Sequence, residues 1–247
     1  MAEKGTVSSE AGDLVAPVRA ISGRSRRLWR RALRVSLGLF LLPYALVVLY
    51  VVVNPPVTTI MLWNALGGAG IDKDWRDLGD ISPHLVRAVM MAEDARFCGH
   101  HGLDLIELNA ALDKAGRGAR LRGASTISMQ TVKNLFLWPA RDWVRKGLEV
   151  PLALWADLLL GKKRVMEIYL NVAEWGEGVY GAEAAAQAYF GVSAAELGPG
   201  PSARLAAILP APTSRDAARP GPRTAEAARR IAGRAAQSGA YVGCVLD

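Results

Sequence analysis

The sequence predicts a mainly α-helical protein with one N-terminal transmembrane helix, and three observations carry that prediction. A nineteen-residue run from Val35 to Val53 (VSLGLFLLPYALVVLYVVV) holds no charge. Beyond it, apolar residues recur at helical spacing in one segment after another. Few stretches alternate with period two, so little sheet is expected.

At helical rise the uncharged run covers roughly 28 Å, close to the ~30 Å hydrocarbon core of a bilayer. Pro43 lies inside it, and a membrane helix accommodates proline with a kink. Trp29 and Tyr50 stand towards its two ends, as interfacial aromatics do. Arg19, Arg24, Arg26, Arg27, Arg30, Arg31 and Arg34 precede the run, whereas no Lys or Arg follows until Lys73. The positive-inside rule therefore puts the N-terminus in the cytoplasm and the chain after about residue 54 outside. A cleaved signal peptide would have a shorter apolar core and a small-residue cleavage site, but Asn54-Pro55-Pro56 follows here.

The 247 residues suffice for one sizeable domain plus a tail, or for two small domains, and a hydrophobic share of 51% argues against global disorder. A net charge of +7 points to anionic partners, a sign that nucleic acid, acidic headgroups and phosphorylated substrates share. Cys98 and Cys244 stand in no CxxC or Cys/His ligand spacing, which excludes a disulfide scaffold and a structural zinc site. A single Cys98–Cys244 bridge stays open for an oxidising compartment.

Along the chain, residues 1–34 form a basic cytoplasmic tail, and 54–80, with Pro55, Pro56 and the Gly67-Gly68-Ala69-Gly70 cluster, reads as an irregular juxtamembrane linker. Ser82-Pro83 is an N-cap followed by a first-turn proline, opening a helix that runs towards Glu93. Helices are also expected over Thr126 to Leu137, 142–160, Lys163 to Trp175, Ala182 to Tyr189 and Ala203 to Leu209. Residues 81–215 make one domain. The stretch 216–247 is expected to be a basic C-terminal tail, helical over Thr224 to Gln237.

Several familiar catalytic signals are absent: there is no GxSxG, no Walker-type loop, no HExxH and no SxxK. With three histidines in the chain, a His-centred metal site has little to draw on, and His100-His101 reads as structural or hydrogen-bonding. Glu93-Asp94 closes an apolar helix, and a carboxylate beside an apolar surface tends towards a raised pKa, which suits acid/base work. Taken alone, this fragment reads as polar residues at a helix end facing water. A second group changes the balance. Arg141, Arg145 and Glu149 share a helical face, Lys146 adjoins it, and Lys133-Asn134 lies just before it. Several cations near one carboxylate suit a polyanion such as a diphosphate.

In order and spacing these segments resemble the monofunctional biosynthetic peptidoglycan transglycosylases, the lysozyme-like domain of glycosyltransferase family 51. The motif ED-x-x-F-x-x-H-x-G is matched by Glu93, Asp94, Phe97, His100 and Gly102. G-x-STI-x-QQ-x-x-KN is matched by Gly123, Ser125, Thr126, Ile127, Gln130, Lys133 and Asn134, with Met129 where the first glutamine usually stands. R-K-x-x-E is matched by Arg145, Lys146 and Glu149, and E-x-YLN by Glu167, Tyr169, Leu170 and Asn171.

The resemblance implies a lysozyme-like helical glycosyltransferase fold and a glycan-strand polymerase of the inner membrane, its catalytic domain periplasmic. No transpeptidase domain is expected after residue 215. Lipid II is the implied acceptor and a lipid-linked glycan chain the donor. Glu93 is the implied base and Glu149 the second catalytic carboxylate, which orients the cations or the sugar, or binds a divalent ion (Mg or Mn) assisting the diphosphate. Asp94, Phe97, His100, Ser125, Thr126, Gln130, Lys133, Asn134, Arg141, Arg145 and Lys146 are the implied substrate-binding residues. Met129 cannot hydrogen-bond as an amide does, which puts the first glutamine's donor role in question. Membrane lipid and cell-wall or division proteins are the expected partners. A nucleic-acid partner is not, because the basic motifs fall outside the membrane. The rival enzyme reading is a lytic, lysozyme-like hydrolase, and the rival without catalysis is a membrane-tethered scaffold.

Overall fold

The computed structural model describes residues 23–117, 125–140 and 142–247. Two compact units divide at Leu41/Leu42. Among the described residues the first is the N-terminal part of helix α1 (Gly23–Leu49), whose Leu33, Leu37, Phe40 and Leu41 are all exposed. Over Arg26–Leu49 this helix is long and apolar enough to cross a membrane.

The second unit begins with the last turns of α1, which are packed rather than free. Val47 is buried with Met129, Val132 and Leu152, and Tyr50 stacks on Phe136 at 6.1 Å. Arg164 donates to the Tyr50 and Val53 carbonyls, each at 2.9 Å, and Lys73 Nζ donates to Pro55 O at 2.6 Å. The stretch expected as an irregular linker holds helix α2 (Thr59–Leu66), capped by Thr58, and strand β1 (Asp72–Lys73). Its prolines and glycines bound these elements instead of replacing them.

Helix α3 (Pro83–Glu93) starts as its sequence dictates, with Ser82 Oγ accepting from His84 N and proline in the first turn. Leu85, Val86, Val89 and Met90 bury its apolar stripe in the main core. Helices α4 (Leu105–Gly116) and α5 (Ile127–Phe136) follow. Helix α6 (Trp143–Val172) is bent at Gly161, whose φ of 70° is left-handed, so the two helices expected here meet at a kink.

The second of these stops at Val172 rather than reaching Trp175. Residues Glu174–Gly176 form β2, antiparallel to β3 (Val179–Tyr180), which also pairs with β1 in parallel. Gly178 (φ 74°) closes the β2–β3 turn, and Trp175 is fully buried. Helices α7 (Ala182–Phe190), α8 (Pro199–Ile208), α9 (Pro222–Ala236) and α10 (Gly243–Leu246) complete the unit.

The expected C-terminal tail is part of the core. Helix α9 packs on α3 and α8 through Ala228 and Ile231, and Val242 and Val245 are buried beyond it. Cys98 and Cys244 are joined, with an S–S distance of 2.01 Å. Sequence spacing could not show that they meet, because 146 residues separate them and only the packing of α10 onto the Phe97–Gly99 turn brings them together.

Gly102 holds α6 close to that turn. Its φ is +77°, and a Cβ there would lie 2.7 Å from Ala153 O and 2.9 Å from Ala153 C. Both strain and backbone collision penalise any side chain, so Gly102→Ala should destabilise the fold by about 3 kcal/mol. Thermal unfolding reads the effect, and an unchanged midpoint would refute the close-approach argument.

Candidate active site

Glu93 is the last residue of α3 and is partly exposed. The helix ends because Asp94 leaves the helical region (φ −160°, ψ 75°) and turns its carboxylate inward. There Asp94 Oδ2 accepts from Ile127 N at 3.0 Å, the first amide of α5, and both oxygens lie 3.1 Å from His100 Nε2. Thr126 caps α5, accepting from Met129 N, and donates to Gly102 O at 2.6 Å. Phe97 is fully buried, edge-on to His100 and 4.4 Å below Lys162 Nζ.

These contacts separate the expected substrate-binding residues into two groups. Asp94, Phe97, His100 and Thr126 hold the end of α3 against the start of α5, and of these Asp94 and Thr126 also line the cleft beside Glu93. Phe97, with no exposed surface, cannot touch a substrate. Asn134 is buried where α5 meets α2, a junction closed by Thr59 Oγ1 donating to the main-chain carbonyl of Leu137 at 2.6 Å. Met129 is buried among Val47, Val132 and Leu152, and its Sδ lies 4.0 Å from Lys146 Nζ, so the position where the family's first glutamine stands here packs in a core while its sulfur touches a cation of the site.

The other group comprises Glu93 with Gln130 and a cluster built on Glu149. Gln130 Nε2 donates to Glu93 Oε2 at 2.9 Å, and Tyr169 OH donates to Gln130 Oε1 at 3.3 Å. Lys146 Nζ donates to Ser125 Oγ at 2.8 Å and to Glu149 Oε2 at 2.9 Å. Arg145 donates to Glu149 Oε1 and to the Ala140 carbonyl, with Asp142 capping the helix beneath it. Glu149 is buried and holds both cations in place. Arg141 lies outside the described residues, as do the tail before residue 23 and most of the basic Arg117–Gly123 loop.

Burial pushes the Glu93 carboxyl above the usual carboxylate range, and the Asp94 charge adds to the rise. The Gln130 hydrogen bond and the Lys133 and Arg215 charges oppose it. Burial, then the neighbouring Arg145 and Lys133 charges, brings the Lys146 ammonium down to about 8. Beside Glu93 opens a cleft of about 190 Å³, lined by Ser125 and Thr126, by Arg96 and Arg234, and by the acidic Asp94, Asp104 and Glu107. Arg96 is paired with Asp104 at 2.9 Å.

Sequence reasoning passed over three of these groups. Arg215 and Arg234 belong to the segment read as leading into, or lying in, a tail. Tyr169 was quoted in a motif and given no role. The signal for Arg234 is the amphipathic spacing of Ala228, Ile231 and Ala235 in α9, which marks a packed helix and not a solvated one; Arg215, in the turn after α8, carries no such signal.

Asp94, His100 and Asp104 offer ligand atoms within 4.8 Å of one another. Their oxygens accept from the Ile127, Ile106 and Glu107 amides and from Arg96, so in this structure the cluster is a hydrogen-bonded brace. Glu149 likewise has both oxygens on cations, which does not fit it as a ligand of a divalent ion.

A partly buried carboxylate within the field of Lys133 and Arg215 on a helical scaffold suits acid/base chemistry on a neutral hydroxyl beside an anionic leaving group. Known proteins point the same way. Residues 62–236 match the transglycosylase family. The biosynthetic peptidoglycan transglycosylase of Rhizobium meliloti (strain 1021) is 49% identical over 90% of this chain and 97% of its own length. That of Agrobacterium fabrum (strain C58 / ATCC 33970) is 51% identical over 90% and 99%, and that of Caulobacter vibrioides (strain ATCC 19089 / CIP 103742 / CB 15) 49% over 83% and 92%. The chain belongs to the transglycosylase family and is a peptidoglycan glycosyltransferase of cell-wall synthesis.

Proposed function

We propose that the enzyme transfers a lipid-linked glycan chain to lipid II at the outer face of the cytoplasmic membrane, with Glu93 as the base. Glu93 takes the proton of the acceptor GlcNAc 4-hydroxyl as that oxygen bonds to C1 of the donor MurNAc. The bond from C1 to the diphosphate oxygen breaks on the opposite side, giving a β-1,4 linkage with inversion and releasing undecaprenyl diphosphate. The observation that carries this reading is the Glu93 carboxylate, raised in pKa and held by Gln130 within the field of Lys133, with Lys146 and Arg145 beyond it.

Lys133 and Arg141 take the developing diphosphate charge, and Lys146 and Arg145 support them on the Glu149 frame. With Glu149 held by two cations, these side chains and not a divalent ion carry the positive charge. The arginines in the first turns of α1, Arg24 to Arg34, favour a cytoplasmic N-terminus. Leu62, Trp63 and Leu66 on α2 are exposed and suit contact with the outer leaflet, whereas Leu137 is core and Phe136 is stacked beneath Tyr50. Substrates held by polyprenyl tails then meet the enzyme on one surface.

Incubation of the purified protein with lipid II should yield glycan polymer, and incubation with sacculi should release nothing. The reverse pattern would assign the cleft to a hydrolase, and inactivity on both would leave a scaffold. Lys133→Ala should lower the polymerisation rate by about 100-fold or more at unchanged thermal stability. A loss confined to stability would make Lys133 a structural residue of α5 and remove it from the chemistry.

A further inference from the structure

Glu93 is held by a relay that begins in the core. Tyr169, on the second half of α6, is fully buried, and its hydroxyl reaches Gln130 Oε1 at 3.3 Å while Gln130 Nε2 reaches Glu93 Oε2 at 2.9 Å. A side-chain amide has one accepting end and one donating end, so what satisfies one end decides what the other presents. An ionised carboxylate only accepts, and a protonated one also donates. An amide locked with its nitrogen towards Glu93 therefore favours the ionised acid, and one free to turn its oxygen there also accommodates the protonated acid.

We propose that Tyr169 is a positioning residue which, acting through Gln130, keeps Glu93 ionised for proton abstraction. The proposal rests on Glu93 being the base. Burial, with the Glu93 and Asp94 charges nearby, holds the Tyr169 phenol well above its ordinary value, so it stays a donor throughout the working pH range. With Oε2 engaged by Gln130, Oε1 is the oxygen left for the acceptor hydroxyl. The other charges acting on Glu93 come from Asp94 beside it, Lys133 on α5 and Arg215 after α8. None of them belongs to the relay. Removing the phenol oxygen leaves them in place and frees only the amide.

The test is the pH profile of kcat/KM for lipid II polymerisation. Tyr169→Phe keeps the ring and its packing. It should move the acid limb upward by about half to one pH unit, the worth of one hydrogen bond that discriminates between the two protonation states. At high pH the rate should return to within about two-fold of the parent, which also shows that the variant is folded, since only the protonation of Glu93 has changed. Gln130→Ala should shift the limb in the same direction, and adding Tyr169→Phe to it should shift the limb no further, because the two act in series. A Tyr169→Phe rate lowered equally at every pH, an unshifted limb, or an undiminished shift in the Gln130→Ala background would overturn the relay. Glu93→Gln separates the two ideas. If it still polymerises, the base assignment fails, and if it is inactive while Tyr169→Phe leaves the limb unmoved, only the relay fails.

Discussion

Glu93→Gln should reduce lipid II polymerisation by about 1,000-fold or more, within the range that a positioned general base supplies. The amide is nearly isosteric with the carboxylate, so the cleft keeps its shape, yet it cannot take a proton from a sugar hydroxyl. Stability should not fall with activity. Burial already disfavours the charged form of Glu93, as its raised pKa records, and a neutral side chain removes that cost. Gln130 has a donating and an accepting end and can re-pair with a glutamine. Labelled lipid II resolved by gel electrophoresis reads the first effect, and thermal unfolding of the same sample reads the second. Retention of polymerisation within a few-fold would remove Glu93 from the chemistry. The parent enzyme should show the same group in its pH dependence. Because the base acts ionised and its pKa is raised, activity should fall with acidity at a pH above that of an ordinary glutamate, not below it.

What the sequence disclosed about this site follows from local rules. Ser82 and Pro83 specify where α3 starts, and the spacing of Leu85, Val86, Val89 and Met90 carries it to Glu93. The i, i+4 spacing of Arg145 and Glu149 predicts their pairing, and the pair is present. What it concealed depends on tertiary contacts. Phe97 and His100 look like cleft residues in a motif, but a motif does not distinguish a side chain that touches substrate from one that braces its neighbour. Their burial makes that distinction. Met129 looks like a lost hydrogen-bond donor, yet it packs beside Val132 and presents its sulfur to Lys146 Nζ at 4.0 Å, a pairing that spacing alone does not reveal. Trp175 continues a helical pattern, yet pairing between β2 and β3 overrides it. The basic composition of 216–247 hides Ala228 and Ile231, small and sparse apolar residues that nevertheless form the contact with α3 and α8.

The largest stability effect should come from the bridge that composition left open. Cys98 lies on the turn directly after Glu93 and Asp94, and Cys244 lies on α10, so the disulfide ties the end of the chain to the turn that positions the base. It closes a loop across a sequence separation of 146, and the chain-entropy account gives such a loop about 5 kcal/mol, although native bridges often deliver about 2–5. Cys98→Ser/Cys244→Ser, or treatment with a dithiol, should therefore lower the unfolding midpoint by about 10 °C in a protein of this size. In the reduced protein α10 keeps only Val242 and Val245 as buried anchors, and α9 keeps Ala228 and Ile231. The arm from α9 to α10 should then become the first part of the molecule to exchange its amides and to be cut by protease. Because α9 also brings Arg234 to the cleft wall, polymerisation should fall at temperatures where the parent is still fully active. The dithiol should have no effect on the double serine variant, which separates loss of this bridge from general damage. An unfolding midpoint that moves by less than about 2 °C in both the variant and the reduced parent would mean that packing alone holds the arm in place.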